Sequence, residues 1–151
     1  MATAYVDALR MLARRELSEA QIRQRLARRA HQPDDIESAV ARLRAERAID
    51  DARVAAAIAR SQASGKRRGK LRVLRQIEQA GIARATARSA VDEVFESIDP
   101  DELIEASLAR RLRGRERAAD AAELARLYRY LIGQGFHPDE VMRALRRRAP
   151  S

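Results

Sequence analysis

Residues 124–145 read LARLYRYLIGQGFHPDEVMRAL. Leu124, Leu127, Tyr128, Leu131 and Ile132 recur at spacings of three and four, the period of one helix face. Gly135 then breaks the run, because glycine adopts the left-handed backbone of a helix end without steric cost. Phe136 follows as an apolar staple. Pro138 suits a first helical turn, where its missing N–H would be unpaired anyway. Val141, Met142 and Leu145 resume the helical period. The stretch therefore predicts a helix, a glycine stop and a second helix.

The same pattern occurs twice more upstream. Ile22, Val73 and Leu127 stand four residues before Leu26, Ile77 and Leu131. Four further on come Ala30, Gly81 and Gly135, followed directly by His31, Ile82 and Phe136. Five beyond those lie Ile36, Ala87 and Val141, and then the pairs Ala39–Val40, Ala90–Val91 and Ala144–Leu145. Equal offsets in three places mark an internal repeat. Ala30 stands where the other two copies have glycine, so the first copy is expected to turn differently. A further run precedes each pair: Val6, Leu9 and Ala13; Val54 and Ile58; and Leu103, Ile104, Leu108 and Leu112. Ser18 reads as an N-cap, Asp50 or Asp51 as another, and Pro33 and Asp99-Pro100 as helix starts. The expected fold is all-α: an elongated array of three tandem three-helix repeats, 1–48, 49–98 and 99–151. One unit of roughly 50 residues buries little surface alone, and stacking lets neighbours share it.

Composition agrees with helices. Of the 151 residues, 46% are hydrophobic but only 3% aromatic, so the core must rest on Ala, Leu, Ile and Val. Ala and Arg favour helix, and no β-branched runs point to strands. The net charge of +9 favours a polyanionic partner or an acidic protein surface. Residues 51–99 are the most basic third. With no cysteine there is no disulfide framework and no thiolate metal site. Met1–Leu12 is too polar for a signal peptide and no apolar run reaches membrane length, so a cytoplasmic location is expected.

Catalytic chemistry finds no foothold. A phosphate-cradling loop needs Gly, four residues, then Gly-Lys-Ser or Gly-Lys-Thr. Here Arg67 follows Gly65-Lys66, and Arg60 stands where the first glycine belongs. His31 and His137 occupy inter-helix turns and read as turn residues rather than metal ligands. Asp34-Asp35 and Asp50-Asp51 sit at helix starts, where capping and the helix dipole account for them. Asp92-Glu93 lies within a helix, near Arg84 and Arg88. No catalytic residue, metal or cofactor is expected.

The basic residues carry the functional expectation. Gly65-Lys66-Arg67-Arg68-Gly69-Lys70 reads as a flexible connector, either a solvated linker or a phosphate contact. Arg72 and Arg75 continue it onto the next helix. Arg25 and Arg28 decorate another helix near its end, where they also suit the dipole. Arg110, Arg111 and Arg113 precede Gly114. Few aromatics accompany these charges, so stacking on single strands is poorly supported.

An ordered set of motifs resembles the RecX regulatory family. Ala8-Leu9-x-x-Leu12-Ala13-x-Arg15-Glu16-x-Ser18 is similar to its opening motif, and Ile49-Asp50-Asp51-x-Arg53-Val54-Ala55 to its second. Arg60-Ser61, Gly65-Lys66, Gly69 and Gly81-Ile82 follow in the family's order. The set spans residues 4–82. The third repeat matches in pattern, through Gly135-Phe136 and Pro138. Ala30, Ala48 and Val54 depart from the usual residues, the last two replacing aromatics. The resemblance implies a monomeric, non-enzymatic regulator of the RecA recombinase. Such proteins bind the RecA filament on single-stranded DNA and restrain ATP hydrolysis, strand exchange and co-protease activity, and so the SOS response. It also implies that Arg15, Glu16, Asp50, Asp51 and Arg53 pair helices between repeats, while surface Arg and Lys face the filament or its DNA. The alternative is a helical DNA-binding module acting alone, although no helix collects the Asn, Gln and Arg of base readout.

Overall fold

A computed structural model describes residues 2–151, and within them the repeated apolar periods become nine α-helices with no strand. These are α1 (Ala4–Arg14), α2 (Glu19–Arg28), α3 (Pro33–Ala45), α4 (Asp51–Arg60), α5 (Lys70–Gln79), α6 (Arg84–Phe95), α7 (Pro100–Leu112), α8 (Ala121–Gly133) and α9 (Pro138–Arg146). A π-helical turn, Ser61–Gly65, extends the end of α4. The caps follow the sequence. The Ser18 hydroxyl accepts from the Gln21 N–H while the Gln21 side chain accepts from the Ser18 N–H, a capping box. Asp50, not Asp51, caps α4 by accepting from the Arg53 N–H at 3.2 Å. The Asp51 carboxylate instead accepts from the Glu19 N–H at 3.0 Å.

The chain divides into two compact units. The first comprises Met1–Ile58 with Gln76–Ala90, and the second Ala59–Arg75 with Val91–Ser151. The first is built on α1, α2 and α3, whose facing stripes bury Ala8, Ile22, Leu26, Val40 and Leu43 together with Leu17 from the α1–α2 turn. In the second, α9 packs on α7 and α8 around Ile104, Leu108, Leu112, Leu131 and Phe136. Full burial of each of these Leu, Ile, Val and Phe side chains stabilises by about 1.5–3 kcal/mol.

Ala30 corrects one expectation. It takes a left-handed φ of 64°, as Gly81 (81°) and Gly135 (96°) do. The first repeat therefore turns like the others, with a Cβ accepted in a region that usually costs about 1–2 kcal/mol for a non-glycine residue. Space explains the difference. A Cβ on Gly81 would meet the Ala20 side chain, and one on Gly135 would meet Arg72, so those turns need glycine for closeness as well as φ. Ala30 is exposed.

The Lys66–Lys70 connector corrects another, because it is not a free linker. The Gly69 N–H donates to the Gln134 carbonyl at 2.8 Å and the Leu71 N–H to the Gly135 carbonyl at 3.1 Å. A Cβ at Gly69 would collide with the Gly135 backbone. The connector is fixed against the α8–α9 turn.

Candidate functional site

The residues expected to meet a polyanion fall into two kinds. Arg68 and Arg72 are used by the fold: Arg68 donates to the Gln134 side-chain oxygen at 2.6 Å, and Arg72 to the Gly133 carbonyl at 3.0 Å. Lys66, Arg67, Lys70 and Arg75 are exposed and form no ion pair among the described residues. The Lys70 ammonium lies 5.6 Å from the centre of the Phe95 ring. Arg67 is held at φ 56° and Arg113, which ends α7, at 52°. Arg110 and Arg111 occupy the last turn of α7, and the Arg111 guanidinium stacks 3.3 Å from the centre of the Tyr130 ring. An arginine fixed this way loses less side-chain freedom on meeting a ligand.

Arg25 and Arg28 lie in the first unit, where they share a cavity of about 520 Å³ with Arg10, Met11, Arg14, Arg15 and Arg29. Arg10 and Arg14 do not stand out in the sequence as binding residues, and Arg29 reads there as a charge that suits the end of its helix. A signal for them exists there nonetheless: Arg10 and Arg14 are one turn apart on α1, and Arg25 is one turn before Arg28, which ends α2, and Arg29 just beyond it.

Of the residues expected to be architectural, Glu16 and Arg53 form a side-chain pair, while the Asp50 and Asp51 carboxylates accept from backbone N–H groups. Glu16 bonds Arg53, whose guanidinium also donates to the Arg47 and Ala48 carbonyls, each at 3.3 Å. Arg53 thereby fastens the start of α4 to the chain after α1 and after α3. Arg15 instead lines the arginine cavity and forms no side-chain hydrogen bond among the described residues. Gly69, Gly81 and Gly135 are the close approaches already described.

Two carboxylates of the first unit, Asp7 buried and Glu19 partly buried, have their acidity raised by basic neighbours. The Asp7 carboxylate meets His31 Nε2 at 2.7 Å and Arg29 at 3.5 Å. The His31 hydrogen bond is the main reason its carboxyl lies below the usual range, with Arg29 adding to it. Glu19 is lowered chiefly by its hydrogen bonds to Arg44, at 2.6 and 2.8 Å. Both are structural ion pairs. Among the described residues, no group of three or more His, Cys, Asp or Glu could hold a metal ion. None of their helices is long and apolar enough to cross a membrane.

Fold and surface together define an all-helical protein of recurring helix–turn–helix units with arginine-rich faces. Comparison with known proteins narrows this. Residues 4–43 match the family described as "RecX, first three-helix domain". The chain is 34% identical over 138 residues to "Regulatory protein RecX" of Halorhodospira halophila, covering 91% of this chain and 83% of that protein. It is 35% identical over 144 residues to the protein of the same name from Chromohalobacter salexigens, covering 95% and 91%. The crystal structure of RecX from Lactobacillus salivarius has a TM-score of 0.75 at 17% identity, covering 95% of this chain and 92% of that one, which is a likeness of fold. The chain belongs to the RecX family of regulatory proteins.

Proposed function

We propose that this protein restrains a RecA recombinase by binding its filament on single-stranded DNA, lowering ATP hydrolysis, strand exchange and co-protease activity. The observation that carries the reading is family membership over nearly the whole chain, since the Halorhodospira halophila and Chromohalobacter salexigens relatives named "Regulatory protein RecX" cover 91% and 95% of it. The surface is consistent with such a partner. Lys66, Arg67, Lys70, Arg110 and Arg113 are exposed and unpaired among the described residues, open to DNA phosphates or to acidic protein groups. In this reading the protein is a cytoplasmic monomer acting in recombination and repair. It catalyses nothing and needs no cofactor. The test is RecA ATP hydrolysis on single-stranded DNA, measured with increasing amounts of this protein. The rate is expected to fall in a saturable way, and an unchanged rate at stoichiometric excess would overturn the reading.

A further inference from the structure

We propose that the first unit carries a phosphate-binding cleft whose ligand is a compact group of adjacent phosphates. The wall is built by α1 and α2. Asp7, near the start of α1, bonds His31 and Arg29 beyond the end of α2, so the two helices run antiparallel and face each other along their length. Six of the seven lining residues are arginine: Arg10, Arg14, Arg15, Arg25, Arg28 and Arg29. The seventh, Met11, is 8% exposed and supplies apolar surface at the helix interface.

The charges decide what can bind. Asp7 pairs with Arg10 at 3.9 Å and Arg29 at 3.5 Å. Arg14, Arg15, Arg25 and Arg28 have neither an ion pair nor a side-chain hydrogen bond among the described residues. A bland account is that these arginines neutralise helix C-termini. Each terminus is worth only about half a negative charge. Two termini and one carboxylate therefore leave most of six guanidinium charges uncompensated. Like charges gathered in a concavity repel one another and focus the field on whatever enters it. A ligand that relieves this must be strongly anionic. Guanidinium forks match phosphate oxygens in pairs, and six forks exceed what a single phosphate can accept. No aromatic residue lines the cavity, so it offers no aromatic platform for a base and its guanidinium groups favour phosphate. Its volume falls in the small-ligand range of about 300–1,000 Å³. Adjacent phosphates of this kind come from a free polyphosphate or from neighbouring backbone positions of a single strand.

This proposal stands apart from the recombinase reading, and its test uses no recombinase. Calorimetric titration of the full chain with inorganic tripolyphosphate at low salt should show saturable, stoichiometric binding, and orthophosphate should bind at least about tenfold more weakly. The variant Arg14→Gln/Arg25→Gln/Arg28→Gln should lose at least about tenfold in tripolyphosphate affinity, since a hydrogen bond to a charged group is worth that much. These three arginines have no partner in the fold, so thermal melting should confirm an intact protein. A charge-matched variant of the second unit, Arg126→Gln/Arg129→Gln/Arg146→Gln, should keep its affinity within about twofold, the residual effect of long-range charge. Displacement of tripolyphosphate by a short oligothymidylate would support the cleft and assign its phosphates to a strand. Saturable binding without such displacement would support it and assign them to a free polyphosphate. Absence of saturable tripolyphosphate binding, or equal losses in the two variants, would overturn it.

Discussion

Asp7 is a single acidic residue on an α1 face shared with Arg10 and Arg14, and its neighbours give it a measurable signature. Its carboxyl is held below its ordinary value first by the hydrogen bond to His31 and then by Arg29. A group whose folded pKa is depressed contributes stability above its unfolded value and loses it as pH falls through the folded one. For Asp7, and for Glu19 lowered by Arg44, that window lies below about pH 4. The melting temperature should fall as pH drops through that window, and Asp7→Asn should make the fall shallower. Equal slopes in the two proteins would show that the Asp7–His31 contact contributes nothing. Residue-scale features were unevenly legible in the sequence. Ser18 as a cap followed from its place before an apolar period. The Asp7–His31 bond did not, because it joins residues 24 apart whose approach depends on how α1 and α2 pack. Ala30 misled because composition alone suggests that only glycine turns left-handed, whereas the cost to alanine is small enough for tertiary packing to override.

Between elements, one fastening recurs at the repeat spacing. The Ser18 hydroxyl, at the start of α2, donates to the Ala80 carbonyl in the α5–α6 turn. The Gly69 N–H, at the start of α5, donates to the Gln134 carbonyl in the α8–α9 turn. In each case the entry of a repeat's second helix is tied to the glycine turn of the following repeat. This explains Gly81 and Gly135 better than turn geometry alone. Gly135→Ala should destabilise by at least about 1–2 kcal/mol from its positive φ, and by more because the Arg72 backbone must yield. Two residues earlier, Gly133 is helical with open space around its Cβ position, so Gly133→Ala should stabilise by about 0.4–1 kcal/mol. Chemical denaturation of both variants checks the pair, and effects of the same sign would contradict the account. The connector divides in the same way. Lys66, Arg67 and Lys70 changed to Gln should leave stability within about 0.5 kcal/mol. If those three meet phosphates of duplex DNA, the salt slope should fall by about 0.9 for each phosphate that is no longer neutralised. Arg72→Gln should instead loosen the α8–α9 turn by about 1 kcal/mol, the ordinary worth of its hydrogen bond. The helices themselves were legible because the apolar period of three to four is a local property. The fixed connector was not, because glycine and charge mark a mobile linker and a tight backbone approach equally well.

For the molecule as a whole, the sequence supplied the all-helical class, the repeated helix–turn–helix units and the family resemblance, through offsets and an ordered set of motifs. The arginine cavity was missed because its walls come from two helices, and each arginine alone reads as a solvated or dipole-pairing charge. The central functional claim is that the partner is a RecA filament and that bare DNA is secondary. It is tested most directly by titrating this protein, at one physiological salt concentration, against two fluorescent targets: a single-stranded oligonucleotide alone and the same oligonucleotide coated with RecA and a non-hydrolysable ATP analogue. The account predicts saturation of the coated strand at concentrations that barely change the anisotropy of the bare one. Equal affinity for both, or preference for the bare strand, would contradict it and favour a helical DNA-binding module acting alone.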